Sequence, residues 1–362
     1  MDKREKKEII SVIVKLARYI IFLAIIALGA VIVLVIYLFS PPSLKVISAI
    51  SGSTALVDSD VKLSAGSTPR SSPIDVWKAP DISTQPPGKA GEMIRYGKEL
   101  ISSTAKYLGP QGSVAHITNG MNCQNCHLNA GTKLFSNNFA GFMSSYPKLS
   151  GRSGKGESAS QRISECFERS LNGMSPDTNK KEIQAILAYM IWVGRNVKKG
   201  RKLSGSSTEK LIFIDQPTDP VKGKMVYLSK CESCHGKTGE GILAQDKISY
   251  INPPLWGTHS YNDGAGMYRV INFAGFVKNN MPYGATYQNP QLTNEEAWNV
   301  AAFVNSQPRP HKDQKNDYPD LTQKPLDFPF GPYADQFSAK QHKYGPYDPI
   351  IENQKTLIHK KD

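Results

Sequence analysis

Two short runs constrain this chain more than anything else in it: Cys123-Gln-Asn-Cys126-His127 and Cys231-Glu-Ser-Cys234-His235. A C-x-x-C-H run brings two thiols and an imidazole together at one end of a helix. That is the arrangement that attaches a haem covalently, with the thiols adding to its vinyl groups and the histidine reaching the iron. One copy alone could be a thioredoxin-like pair or half of a zinc site. Cys231 follows Cys123 by 108 residues, so the unit repeats. Repetition on a chain with an export signature points to two covalently bound haem c groups, on Cys123, Cys126 and His127 and on Cys231, Cys234 and His235.

The repeat extends beyond the motifs. Helical patterns precede them at Glu92–Thr104 and Val221–Ser229. Each motif is followed by a Gly-rich loop region and then a closing amphipathic helix. The first is expected at Lys181–Val193, with Ile183, Ile186, Leu187, Met190 and Ile191 at helical spacing; the second at Asn294–Asn305, with Trp298, Ala301, Ala302 and Val304. A helix before the motif and another after it is the cytochrome c plan. The expected fold class is mainly α, with two tandem cytochrome c-like domains behind one N-terminal transmembrane helix. A haem in each core supplies the buried apolar area that a domain of about 100 residues otherwise lacks.

Residues 19–39 are uncharged and apolar. As a helix rising 1.5 Å per residue they span about 31 Å, the hydrocarbon thickness of a bilayer, and they exceed the roughly 7–15 residues of a signal-peptide core. Lys3, Arg4, Lys6, Lys7, Lys15 and Arg18 precede them, which sets the N-terminus in the cytoplasm and the haem domains on the periplasmic side of a bacterial inner membrane. The expected organisation is a stub and anchor at 1–40, a Ser/Pro-rich spacer at 41–88, cytochrome c domains at 89–205 and 206–308, and a Pro/aromatic tail packed on the domains at 309–362. The net charge is +13, which favours anionic partners. No helix-turn-helix, zinc finger or basic helix is present in the sequence, so nucleic acid is not an expected partner.

The remaining iron ligands separate a carrier from an enzyme. Met281 follows His235 by 46 residues, in Asn280-Met281-Pro282, and is the expected second ligand of haem 2, with Lys278 and His259 as rivals. Methionine ligation raises a haem's potential. At haem 1 the residues leave two choices. Met174 follows His127 by 47 residues and matches the internal repeat; Cys166, the odd cysteine, follows it by 39. Arg152, Arg162 and Arg169 surround Cys166 in sequence, and nearby cations favour a thiolate.

At these residues the chain resembles a family. Asn119 to Thr132, the run Arg162-Ile-Ser-Glu-Cys-Phe-Glu-Arg-Ser-Leu-Asn-Gly173 and Asn280-Met281-Pro282 are similar to dihaem thiosulfate dehydrogenases, over roughly Glu92–Pro308. The resemblance implies His127 and Cys166 as the axial ligands of haem 1, the reacting site, and anion-binding roles for Arg152, Arg162 and Ser170. Some members carry Lys immediately before the haem 2 methionine, where Asn280 stands here. Many appear as soluble periplasmic proteins, so the anchor is a departure. The expected reaction joins two thiosulfates as tetrathionate through an adduct on Cys166, with electrons passing from haem 1 to haem 2 and on to a small cytochrome c or similar acceptor. The reverse reaction uses the same site. The alternative is a membrane-anchored dihaem electron-transfer cytochrome without substrate chemistry, with Met174 on haem 1. A dihaem peroxidase is a further rival, for which the sequence has no acid/base signature.

Overall fold

The computed structural model describes residues 76–201 and 203–359. The expected membrane span at 19–39, its stub and most of the spacer lie outside the described residues. Among the described residues no helix is long and apolar enough to cross a membrane.

The described chain is mainly helical. Helix α1 covers Gly88–Ser102, α2 Ala159–Arg169, α3 Lys181–Val193, α4 Pro220–Lys230, α5 Val270–Asn280 and α6 Asn294–Ser306. Helices α7 (Ala339–Tyr344) and α8 (Asp348–His359) close the chain. Two small antiparallel hairpins interrupt the loops. β1 (Lys148–Leu149) pairs with β2 (Gly156–Glu157), placing Lys148 opposite Glu157, and β3 (Ile242–Leu243) pairs with β4 (Tyr250–Asn252).

The same packing occurs twice: α1 lies on α3, and α4 lies on α6. A glycine sets each closest approach. A Cβ added at Gly97 would stand 1.9 Å from the Ala185 carbonyl oxygen, and one at Gly223 would stand 1.9 Å from that of Asn299. Only a residue without a side chain lets backbones approach this closely. Around the first contact Leu100, Ile101, Ile183 and Tyr189 are buried; around the second Tyr227, Trp298, Ala301 and Val304 are buried. Fully burying each large apolar side chain is worth about 1.5–3 kcal/mol, so these seams hold much of the fold.

Local signals explain where the helices start. Asp219 accepts from the Val221 N–H at 2.7 Å, with Pro220 occupying the first turn, where its missing N–H costs nothing. Thr293 and Glu296 form a reciprocal capping box at the start of α6. Beyond Pro308 the chain crosses the surface irregularly before α7. Buried Asp327 fixes it there, accepting from Arg269 Nε at 2.7 Å and the Ile271 N–H at 3.1 Å. Tyr347, 1% exposed, is set against Phe213 and Trp298.

Candidate active site

The first C-x-x-C-H run is anchored by polar residues on either side of it. Asn122 accepts from the Ala105 N–H at 2.8 Å, and the Cys123 N–H donates to Thr104 Oγ1 at 3.0 Å. His127 donates from Nδ1 to the Asn137 carbonyl, at 2.5 Å. A carbonyl only accepts, so Nδ1 carries the proton and Nε2 keeps its lone pair for a metal. Burial also holds the His127 pKa below its ordinary value, which keeps the ring neutral. Burial pushes Cys123 up to about 11 and Cys126 up to about 12. An uncharged thioether suits such a place better than a thiolate does.

The second run repeats this design. His235 donates from Nδ1 to the Pro253 carbonyl at 2.9 Å, and burial lowers its pKa. Cys231, Cys234, His235 and Met281 all line one cavity of about 450 Å³, walled by Leu255, Tyr261, Phe273, Phe276, Val300 and Val304. That volume lies within the roughly 300–1,000 Å³ of ligand sites. Two sulfurs, an imidazole with a free Nε2 and a thioether converge on an apolar space, a donor set that fits covalently attached haem c. Of the sequence's rivals to Met281, Lys278 turns away and donates to the Leu292 carbonyl, and His259 is exposed. Cys126 of the first run lines the same cavity, so the two C-x-x-C-H runs share a wall.

Cys166 stands on α2. Ser158 and Gln161 start that helix with a reciprocal capping box, Gln161 N–H donating to Ser158 Oγ at 3.3 Å and Ser158 N–H to Gln161 Oε1 at 2.7 Å. Arg162 lies one turn before Cys166, on the same helix face. Its pKa is raised, chiefly by the charge of a Cys166 thiolate and next by Glu165. Cys166 is also close enough to Cys123 and Cys126 for a thiolate there to raise both thiols. Ser170 caps the helix, its N–H donating to the Cys166 carbonyl at 2.9 Å. Met174, by contrast, is 59% exposed.

The arginines are not independent. Arg152 Nη1 and Arg162 Nη1 donate to the same oxygen, Glu165 Oε2, at 2.8 and 2.9 Å. Arg169 is buried against another carboxylate: its Nη2 donates to Asp317 Oδ1 at 2.8 Å, and its Nη1 lies 2.8 Å from Oδ2. Asp317 Oδ2 also stands 3.7 Å from Arg152 Nε. Glu165 and Asp317 were not singled out by the sequence. Glu165 precedes the odd cysteine and could have been noticed on that ground; Asp317 has no local signal.

A histidine oriented by a backbone carbonyl, beside two cysteines and between a packed helix pair, defines a c-type cytochrome. The cytochrome c family model matches residues 220–308. The chain is 36% identical over 263 residues to the thiosulfate dehydrogenase of Psychrobacter arcticus, covering 72% of this chain and 77% of that protein. It is 38% identical over 235 residues to that of Allochromatium vinosum, covering 64% and 83%. The solved thiosulfate dehydrogenase of Marichromatium purpuratum, in its as-isolated form, aligns with a TM-score of 0.60 at 32% identity, over 66% of this chain. This chain spans half of that longer one. The chain belongs to the thiosulfate dehydrogenase family.

Proposed function

We propose that this protein oxidises two thiosulfate ions to tetrathionate at Cys166 and passes two electrons to an external acceptor. The observation that carries this reading is the pairing of Cys166 with Arg162 on one face of α2, beside Cys123 and Cys126. Residues 89–205 and 206–308 form two cytochrome c domains, with His127 and Cys166 as ligands at the first site and His235 and Met281 at the second. Haem c, when bound, supplies a one-electron redox centre at each site.

The Cys166 sulfur forms a sulfur–sulfur bond with the outer sulfur of the first thiosulfate, and this pair gives up two electrons. The second thiosulfate then attacks the outer sulfur of the adduct. Cys166 departs as thiolate, and tetrathionate is released. Arg152 and Arg162 hold the sulfonate oxygens and offset the repulsion between dianions, with Ser170 as a further donor. Glu165 keeps the two guanidiniums together despite their like charge. The shared wall at Cys126 gives the electrons a short path between the sites. A small cytochrome c or similar redox protein collects them at the second site.

A carrier without substrate chemistry requires Met174 at the first site, and the exposure of Met174 counts against it. The proposed location is periplasmic, tethered through residues 19–39. The test of function is Cys166→Ala: both haems retained, tetrathionate formation lost. Undiminished turnover in that variant would refute the reading. Retention of the haem protein in membranes after a high-salt wash tests the tether, since salt does not weaken apolar burial.

A further inference from the structure

We propose that Asp317, on the segment that follows the second helix pair, is a positioning residue that aims Arg152 at the anion beside Cys166. The inference rests on the function proposed above and adds a residue 165 positions downstream of the arginine it serves.

The segment is held against the site at several points. The Tyr318 N–H donates to the Arg152 carbonyl at 2.6 Å, so backbone as well as side chain of Arg152 is engaged. Tyr318 adopts φ 59°, a left-handed conformation rare for an aromatic residue, and is 6% exposed with its ring against Phe328. Such a conformation persists only where the surroundings over-determine it, and it directly follows the residue that meets the arginines. Upstream, Lys312 Nζ donates to Glu168 Oε2 on α2 at 2.8 Å, and its N–H donates to Asp263 Oδ1 at 2.8 Å.

Arg152 is therefore gripped from two sides. Glu165 takes Nη1 at 2.8 Å, and Asp317 Oδ2 stands 3.7 Å from Nε. The Glu165 hydrogen bond fixes Nη1, and the Asp317 charge, too far from Nε at 3.7 Å for a hydrogen bond, biases the tilt of the planar fork about that point. The side chain of Asp317 is 11% exposed and that of Arg152 15%, so water screens the pair weakly. The rival role for Asp317 is neutralisation of the buried Arg169 alone.

Three variants separate the two roles: Asp317→Asn, Arg169→Gln and their combination. The reading is the thiosulfate concentration that half-saturates adduct formation on Cys166, followed by intact mass, together with steady-state KM and kcat. Asp317→Asn is expected to raise both concentrations about tenfold, with kcat and the second site's absorption spectrum little changed. Arg169→Gln is expected to stay near wild type. The double variant removes the uncompensated buried charge and so folds even if Asp317→Asn does not; it is expected to keep the tenfold rise. Restoration of wild-type half-saturation in the double variant overturns the proposal, because Asp317 would then serve Arg169 only. An unchanged value in Asp317→Asn overturns it equally. Arg152→Lys isolates the underlying function: if half-saturation is unchanged in that variant, Arg152 does not hold the anion, and the fault lies in the function proposed rather than in the part given to Asp317.

Discussion

Asn280 Nδ2 donates to the Phe135 carbonyl at 3.0 Å, joining two residues 145 positions apart in the chain. Asn280 directly precedes Met281, and Phe135 lies two residues before Asn137, whose carbonyl holds His127. Lys133 Nζ reinforces the junction by donating to the Ala285 carbonyl at 3.2 Å, and the Phe135 and Tyr287 rings meet at 5.1 Å. The loop carrying Met281 is thus docked on the loop that orients the first histidine. Replacement by Ala leaves the buried Phe135 carbonyl without this donor, at a cost of about 1–3 kcal/mol. Asn280→Ala is expected to lower the denaturant midpoint accordingly and to weaken the methionine-to-iron absorption of the second haem. Wild-type values for both would show that the contact is incidental.

Met281→Gly separates the work of the two sites. Loss of the thioether is expected to lower the potential of the second haem, since methionine favours ferrous iron. Steady-state turnover is expected to fall, while thiosulfate still adds mass to Cys166 on α2. Equal loss of the adduct in Met281→Gly and Cys166→Ala would contradict the division into a reacting site and an exit site.

Glu157 gives a dependence on pH. It is 6% exposed, and burial, followed by the Glu165 charge, raises its pKa above the ordinary value of 4.5, against the opposing pull of Arg162. A raised folded-state pKa adds stability that is fully present below the unfolded value and lost as pH rises through the folded one. At neutral pH the charged Glu157 therefore opposes folding. Glu157→Gln is expected to melt above wild type at pH 7, with the margin closing towards pH 4. A margin independent of pH would assign the effect to packing instead.

Much of this could be read from the residues because the information is local. The C-x-x-C-H runs declare their chemistry within five positions. The closing helix at Lys181–Val193 has the bounds its periodicity implies, since a dense apolar stripe leaves little choice. Helices α2 and α5 fall where a Gly-rich loop region was expected. In α2 only a few apolar positions, Ile163 and Phe167 among them, mark the buried face, and the capping box at Ser158 carries the signal instead. The arginines around Cys166 were legible as cations but not as a network. Whether a guanidinium meets substrate or carboxylate depends on tertiary neighbours, and Asp317 meets Arg169 across 148 residues. Asn280 in its Asn-Met-Pro run likewise gave no hint that its amide crosses to Phe135.

The central claim is that Cys166, rather than Met174, is the sulfur at the first haem. Electron paramagnetic resonance of the oxidised protein tests it most directly, because thiolate and thioether ligation give distinct low-spin ferric signals. The wild-type protein is expected to show a thiolate signal that disappears in Cys166→Ala and survives in Met174→Ala. Persistence of the signal in Cys166→Ala, or its loss in Met174→Ala, would contradict the account and leave an electron carrier in place of an enzyme.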